Sequence, residues 1–457
     1  MPAPEAAVQY AKEHKNDFLE DLITLLRIPS VSTLPDHQGD MERAAAWISD
    51  RLKSMDFDNV RVMPTDRHPV VYGECLKAGK SAPTLLFYGH YDVQPADPLE
   101  EWKSDPFDPQ IRGDDLFARG ASDMKAQVVA HLSAAASMVH TSGLPINVKY
   151  MIEGEEEIGS PSLEKFIIAN KDLLSCDICL NADCAILAPD TPSITYALRG
   201  LAYFEIRIQG PASDLHSGRF GGAIDNPALV LSELIAGMRD ENGRITLPGF
   251  YDSVRDLSDD ERAELSKLPT DDAWWQAQAG VKALHGERGY SAGERASARP
   301  TLDVNGLLSG FTGEGSKTVL PAKAMAKISM RLVSDQTPEQ VHEGLIQYMK
   351  ENAPPTITWE VEKLAGAPPA IVERDSVSIR AASKAFESVW GKRPLFTREG
   401  GTVPVVGMIQ NLMGVDCLMM GFGLPDDNLH APNEKQHLPN YYRGIETFIR
   451  FTHELAV

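Results

Sequence analysis

Residues 84–92 read TLLFYGHYD, an apolar run without alternation that passes straight into Gly89-His90-Tyr91-Asp92. A strand covered by helices on both faces has this pattern, because none of its positions meets water. Three other runs follow the same plan: 148–152 ends in Glu153-Gly154-Glu155-Glu156-Glu157, 178–182 ends in Asp183, and 417–420 leads into a loop that carries His430. Helical spacing of apolar positions fills intervals at 125–140, 162–170, 377–390, 405–412 and 441–453. Two amphipathic helices are expected near the start, over 6–28 and 41–55. Alternating helices and doubly buried strands predict an α/β domain on a mainly parallel sheet.

The middle of the chain has another texture. Residues 203–209 alternate Phe204, Ile206 and Ile208 against Glu205, Arg207 and Gln209, and 323–333 alternate Ala324, Ala326, Ile328, Met330 and Leu332 against polar neighbours. These are strands with one wet face. With helices expected at 226–239 and 338–350 and a strand at 356–361, they make an α+β domain over 200–365, inserted into an α/β domain of 1–199 and 366–457. Two domains suit the length, since single cores stop growing near about 250–300 residues. The acidic stretch 252–300 is expected to be a surface excursion of the inserted domain.

Of the 457 residues, 43% are hydrophobic and 24% charged, ordinary values for a globular chain. The 65 acidic residues against 44 basic ones give a formal charge of −21, which repels phosphate backbones and anionic lipids and argues against nucleic acid or membrane partners. No run approaches the roughly 18 apolar residues of a spanning helix. Residues 1–30 interleave charges with apolar positions, unlike a signal peptide, so a cytoplasmic protein is expected. Five cysteines, Cys75, Cys176, Cys179, Cys184 and Cys417, fit free thiols in a reducing compartment. Cys176 and Cys179 form a CxxC without a second pair and are expected to be small buried residues, not a zinc or redox site. No Gly-x-Ser-x-Gly turn points to a serine hydrolase.

Histidine and carboxylates gather where the strands end, which is where open α/β sheets bind ligands. Asp123, in Arg119-Gly120-Ala121-Ser122-Asp123, adds a fifth acid just before the helix at 125–140. Each acid alone is equally well a solvated loop residue, and His90 a core histidine. Four independent strand ends with the same chemistry favour a site for divalent ions such as zinc, cobalt or manganese, two of which sit roughly 3.5–4 Å apart when they share a carboxylate. Glu155, Glu156 and Glu157 in a row would repel one another unless cations neutralised them.

The ordered series GHYDV (89–93), ARGASDMK (118–125), EGEEEIGS (153–160), NADC (181–184), DLHSGRFGG (214–222), REGGTVPV (398–405) and HAPNE (430–434) resembles the aminoacylase/carnosinase-type metallopeptidase family. Within it the series is most similar to the cytosolic nonspecific dipeptidase and carnosinase branch. The resemblance implies a catalytic domain of zinc-peptidase type with an inserted lid and dimerisation domain, a homodimer, and two divalent metal ions per subunit, zinc, manganese or cobalt. It implies that His90 and Asp183 hold one metal, Glu157 and His430 the other, and that Asp123 bridges them. Asp92 matches the carboxylate that orients the His90 imidazole, a role with its own physical rationale. Glu156 matches the general base that takes a proton from the water between the metals. His216 matches a histidine that reaches the partner subunit's site and steadies the oxyanion, and Thr318, Arg331 and Thr402 match residues that contact the substrate, the arginine taking its free carboxylate.

Arg331 also falls on the polar side of its alternating strand, as a carboxylate-binding residue should. Met124 and Ala126 depart from residues frequent in relatives, which bend this loop through a cis peptide, so the bend at Asp123–Met124 is left open. The expected activity is hydrolysis of dipeptides or short peptides with a free C-terminal carboxylate. The alternative on the same metal site is deacylation of N-acyl amino acids.

Overall fold

The computed structural model describes residues 3–457. They divide into two compact units, the first running to Tyr196 and resuming over Val372–Thr397 and Met408–Val457, the second formed by Ala197–Ile371 and Arg398–Gly407. In the first unit, the strands Asn147–Glu153, Thr84–His90, Ile178–Asn181 and Asp416–Met419 lie side by side in that order, all parallel. All seven positions of Asn147–Glu153 are buried, the burial that an unalternating apolar run requires. The flanks are antiparallel: Val70–Cys75 and then Asp58–Met63 extend one side, and Ser193–Leu198 pairs with Asp416–Met419 on the other. The sheet is thus parallel only at its centre, where the acids and histidine gather.

Helix Ala126–Val139 is buried along almost its whole length and packs against Leu438–Glu454. His131 of this helix stacks on Phe87 of the central strand with ring centroids 4.1 Å apart. The amphipathic segment expected over 6–28 breaks at His14 into Glu5–Glu13 and Lys15–Leu26. Buried Lys125 donates from Nζ to Leu25 O and Ile28 O at 3.1 and 2.7 Å, capping carbonyls at the end of the second helix, while burial pulls its amine down to about 7.

The second unit is a four-stranded antiparallel sheet in the order Thr301–Ser309, Lys323–Leu332, Gly200–Gln209, Thr358–Ala367. Phe204, Ile206, Ile328 and Met330 face helices Pro227–Gly237 and Pro338–Asn352 in one core, each such side chain stabilising by about 1.5–3 kcal/mol. The 252–300 stretch carries three short helices, Asp259–Leu265, Asp272–Ala279 and Ala292–Ser297. It is fastened by buried Arg299, which donates twice to Glu287 at 2.8 Å. A two-stranded ribbon pairs Leu215–His216 with Val319–Leu320. Among the described residues no helix is long and apolar enough to cross a membrane, and none of the five cysteines forms a disulfide.

Candidate active site

His90 closes the central strand and is fully buried. Its Nδ1 lies 3.0 Å from the carbonyl oxygen of Asp92 and 3.4 Å from that residue's Oδ1. Donation to that carbonyl puts the lone pair of the neutral ring on Nε2. Burial opposes protonation of the ring, but the hydrogen bonds to Asp123 and Asp92 outweigh it and raise the imidazole well above its ordinary value, so that Nε2 donates to Asp123 while no cation is bound. Nε2 points at Asp123 Oδ1, 3.1 Å away, and at Asp183 Oδ2, 3.9 Å away. The other oxygen of Asp123 lies 2.9 Å from His430 Nε2, which is 3.2 Å from Glu157 Oε2. His90, Asp123 and Asp183 therefore form one group of donor atoms within 4.8 Å of one another, and Asp123, Glu157 and His430 a second. Asp123 belongs to both, and nitrogen and oxygen donors of this kind fit borderline or hard divalent ions.

Burial pushes the Asp183 carboxyl up to about 7, helped by the charge of Asp123. Burial raises Asp123 too, but hydrogen bonds from His430 and His90 outweigh it and hold the carboxyl below its ordinary range. His430, half exposed, is raised to about 10 by its bonds to Asp123 and Glu157. It holds φ at +59°, a left-handed backbone uncommon outside glycine.

The run 155–157 does not behave as three equivalent repelling charges. Glu155 turns away and accepts from Thr65 Oγ1, His68 N and Ser162 N at 2.6 to 3.1 Å. Glu157 accepts from Gln94 Nε2 at 2.8 Å. The Glu156 carboxyl makes no hydrogen bond among the described residues, and burial, with the charges of Asp183, Asp123 and Glu157, pushes it up to about 9. Asp92 carries more than an imidazole: its carboxylate accepts from Glu156 N at 3.3 Å and Glu157 N at 3.1 Å, tying the two loops together. Gly154 is required at the start of this loop, because a Cβ there would overlap the Tyr91 hydroxyl.

Two buried acids escaped the sequence reading. Glu434 accepts from Gly120 N, Ser122 N and Asp123 N at 2.8 to 3.1 Å and from Arg119 Nη1 at 2.8 Å, so it clamps the loop that presents Asp123. Asp427 accepts from Ser122 Oγ at 2.7 Å. The only signal for Glu434 was its place in HAPNE, four residues after His430. The peptide bond Asp123–Met124 is cis.

In the second unit, His216 is exposed and its Nδ1 accepts from Gly218 N at 3.0 Å, which leaves Nε2 to carry the proton of the neutral ring. Thr318 is its neighbour across the ribbon, its carbonyl accepting from Ser217 N. Arg331 donates from Nη1 to Thr402 Oγ1 at 2.8 Å, and Thr402 Oγ1 donates to Arg199 O at 2.7 Å. The predicted residues of this unit thus fall into two pairs, His216 with Thr318 and Arg331 with Thr402.

The profile of peptidase family M20/M25/M40 matches residues 86–454. The chain belongs to that family. It is 32% identical over 465 residues to the Cys-Gly metallodipeptidase DUG1 of Candida albicans, covering 97% of this chain and 95% of the relative. Its fold is similar to the M20 metallo-carboxypeptidase Sso-CP2 of Sulfolobus solfataricus, with a TM-score of 0.80 and 33% identity over 96% of this chain and 99% of the other. Human carnosine dipeptidase 1 gives a TM-score of 0.73 and 30% identity over 100% and 99%.

Proposed function

We propose that this M20 peptidase is a metal-dependent dipeptidase, cleaving dipeptides or short peptides with a free C-terminal carboxylate. The observation that carries the reading is the convergence of two donor groups on one shared carboxylate, Asp123, in a chain similar to a Cys-Gly dipeptidase and a carnosine dipeptidase. His90 and Asp183 would hold one divalent ion, Glu157 and His430 a second, with Asp123 between them; zinc, manganese and cobalt all suit these donors. Ions bound there supply Lewis acidity and a water nucleophile near neutral pH.

The chain's own residues do the rest. Asp92 fixes the His90 ring and the backbone of Glu156 and Glu157. Glu156, whose carboxyl makes no hydrogen bond among the described residues, is raised by burial and by the neighbouring carboxylates. Cations held by those carboxylates would bring it back down, so that it can take the proton of the attacking water and pass it to the leaving amine. Arg331 and Thr402 hold the substrate's α-carboxylate, for which the guanidinium fork is suited. His216, with Nε2 as donor, steadies the oxyanion in the active site of a partner subunit, and Thr318 beside it contacts the same substrate.

The second unit would then be both lid and dimerisation domain. Its edge strand Thr301–Ser309 exposes Val304, Leu307 and Leu308 beside Phe311, a surface suited to a second copy. Five cysteines without a disulfide suit the cytoplasm.

The test strips the protein of metal, restores zinc, manganese or cobalt, and assays a dipeptide panel beside N-acetyl amino acids. Metal-restored cleavage of dipeptides is expected. Hydrolysis of N-acetyl amino acids alone transfers the protein to the deacylases, and silence on both refutes the reading.

A further inference from the structure

The second unit holds a cavity of about 390 Å³ beside Arg331, walled in part by the 252–300 excursion. Arg199, Arg239, Arg295, Arg299 and Trp275 also line it. Its two carboxylates are already matched. Glu287 accepts from Arg299 and from Arg244 Nη1, and Asp303 lies 3.8 Å from Arg239.

The other three arginines meet no carboxylate among the described residues. Arg199, only 9% exposed, donates to the carbonyls of Gly400, Arg295 and Arg299. Arg295 donates to those of Glu287 and His285, and Arg331 to the Thr402 hydroxyl. Burial and the neighbouring charge of Arg331 pull the Arg199 guanidinium down to about 10 against the opposing charge of Asp303, so the two cations feel each other. One buried donor of the lining, Trp275 Nε1, makes no hydrogen bond among the described residues, and Arg299 Nη1 has only the exposed Asp256 carboxylate, 3.6 Å away. Three guanidinium groups without a carboxylate in contact, beside a buried indole N–H lacking an acceptor, are the complement of an anionic group.

We propose that this cavity receives the side-chain carboxylate of an acidic C-terminal residue, making peptides that end in Glu or Asp preferred substrates. The proposal rests on the dipeptidase reading, in which Arg331 and Thr402 hold the α-carboxylate: Arg331 then lines both the anchor and the cavity. Glutamate and aspartate side chains are far smaller than the cavity, which leaves room for water to complete their hydrogen bonds. The formal charge of −21 disfavours anionic substrates at long range, so such a preference has to arise locally.

The experiment compares kcat/KM for Ala-Glu and Ala-Gln, two substrates of one shape that differ by a charge, with Ala-Ala as reference. In the metal-loaded enzyme we expect Ala-Glu to be favoured by about tenfold, the scale of one charge-assisted hydrogen bond. Arg295→Gln is expected to bring the ratio near one. Because Arg295 also ties down two carbonyls, the wild-type ratio decides the matter should the variant fold poorly. A wild-type ratio at or below one overturns the proposal, as does inhibition by inorganic phosphate of both substrates alike with no preference between them, which would assign the cavity to a free anion. Failure to cleave even Ala-Ala strikes at the dipeptidase reading instead.

Discussion

The loop around Asp123 and the ribbon around His216 hold polar side chains in opposite ways. Asp123 is buried, its loop is pinned by Glu434 through three backbone N–H groups, and Glu434 is itself neutralised by Arg119. His216 is exposed on a ribbon of two residues per strand, and among the described residues its ring has one hydrogen-bond partner, Gly218 N. The first arrangement fixes its donors within one chain, whereas the second leaves its ring open to a group from outside. If, as proposed, both serve one reaction, activity should fail abruptly when the Asp123 loop is altered and be repairable when His216 is.

The largest effect is expected at Glu156. Glu156→Gln keeps the shape and removes the proposed base, so kcat should fall by about 10²–10⁴, while metal content measured by atomic absorption stays at the wild-type value. Loss of metal together with activity would make Glu156 a ligand, and the distinction between it and Glu157 would collapse.

His216→Ala tests the other side. In its proposed role as an oxyanion donor, its removal should lower kcat by about 10²–10³. If that donor comes from a partner, mixing the inactive His216→Ala and Glu156→Gln proteins under conditions that exchange subunits should restore activity, since random pairing makes about half the dimers mixed and gives each one intact site, about a quarter of the wild-type value. Unchanged silence after proven exchange would show that His216 serves its own chain or none.

Legibility in the sequence followed the same division. The central strands were legible because burial on both faces leaves an unbroken apolar run, and the acids of the candidate site stood out because they end those runs. Glu434 was not legible: its donors lie more than 300 positions upstream, at 119–123, and only the fold brings them together. The run 155–157 looked like three equal charges because sequence cannot show that Glu155 turns toward Thr65 and His68. The edge strand Thr301–Ser309 escaped because the register shift between Val304 and Gly306 breaks the period of two. Asp58–Met63 escaped because, on a sheet flank, no position of it is fully buried.

Glu434→Gln puts the clamp itself to the test. The substitution keeps the volume, but one acceptor oxygen becomes a donor facing backbone N–H groups and Arg119 loses its counter-charge. Metal affinity should weaken by about 10–100-fold, the usual scale for groups that orient ligands, as read by competition with a chelator. Affinity unchanged in a folded variant would mean that the loop is held without Glu434, and the contrast with the ribbon would shrink to one of burial alone.

The smallest effect lies beneath the site, at His131, stacked on Phe87 and 2.8 Å by Nδ1 from the Tyr150 hydroxyl. Burial pulls its imidazole down to about 3. Between that value and the unfolded one near 6.5, the unfolded chain binds a proton that the native protein refuses, so stability rises with pH across this window. At pH 5 the cost relative to pH 7.5 is about 2 kcal/mol from this residue alone. His131→Leu removes the titration but also strands the Tyr150 hydroxyl, so the variant should be weaker at both pH values. The informative quantity is therefore the difference between them: by denaturant unfolding, the gap between pH 5 and pH 7.5 should narrow by about 2 kcal/mol in the variant. A gap of the same size in both proteins would mean that His131 can acquire its proton without leaving the core, and that the sheet beneath the Asp123 loop is less rigid than the clamp above it.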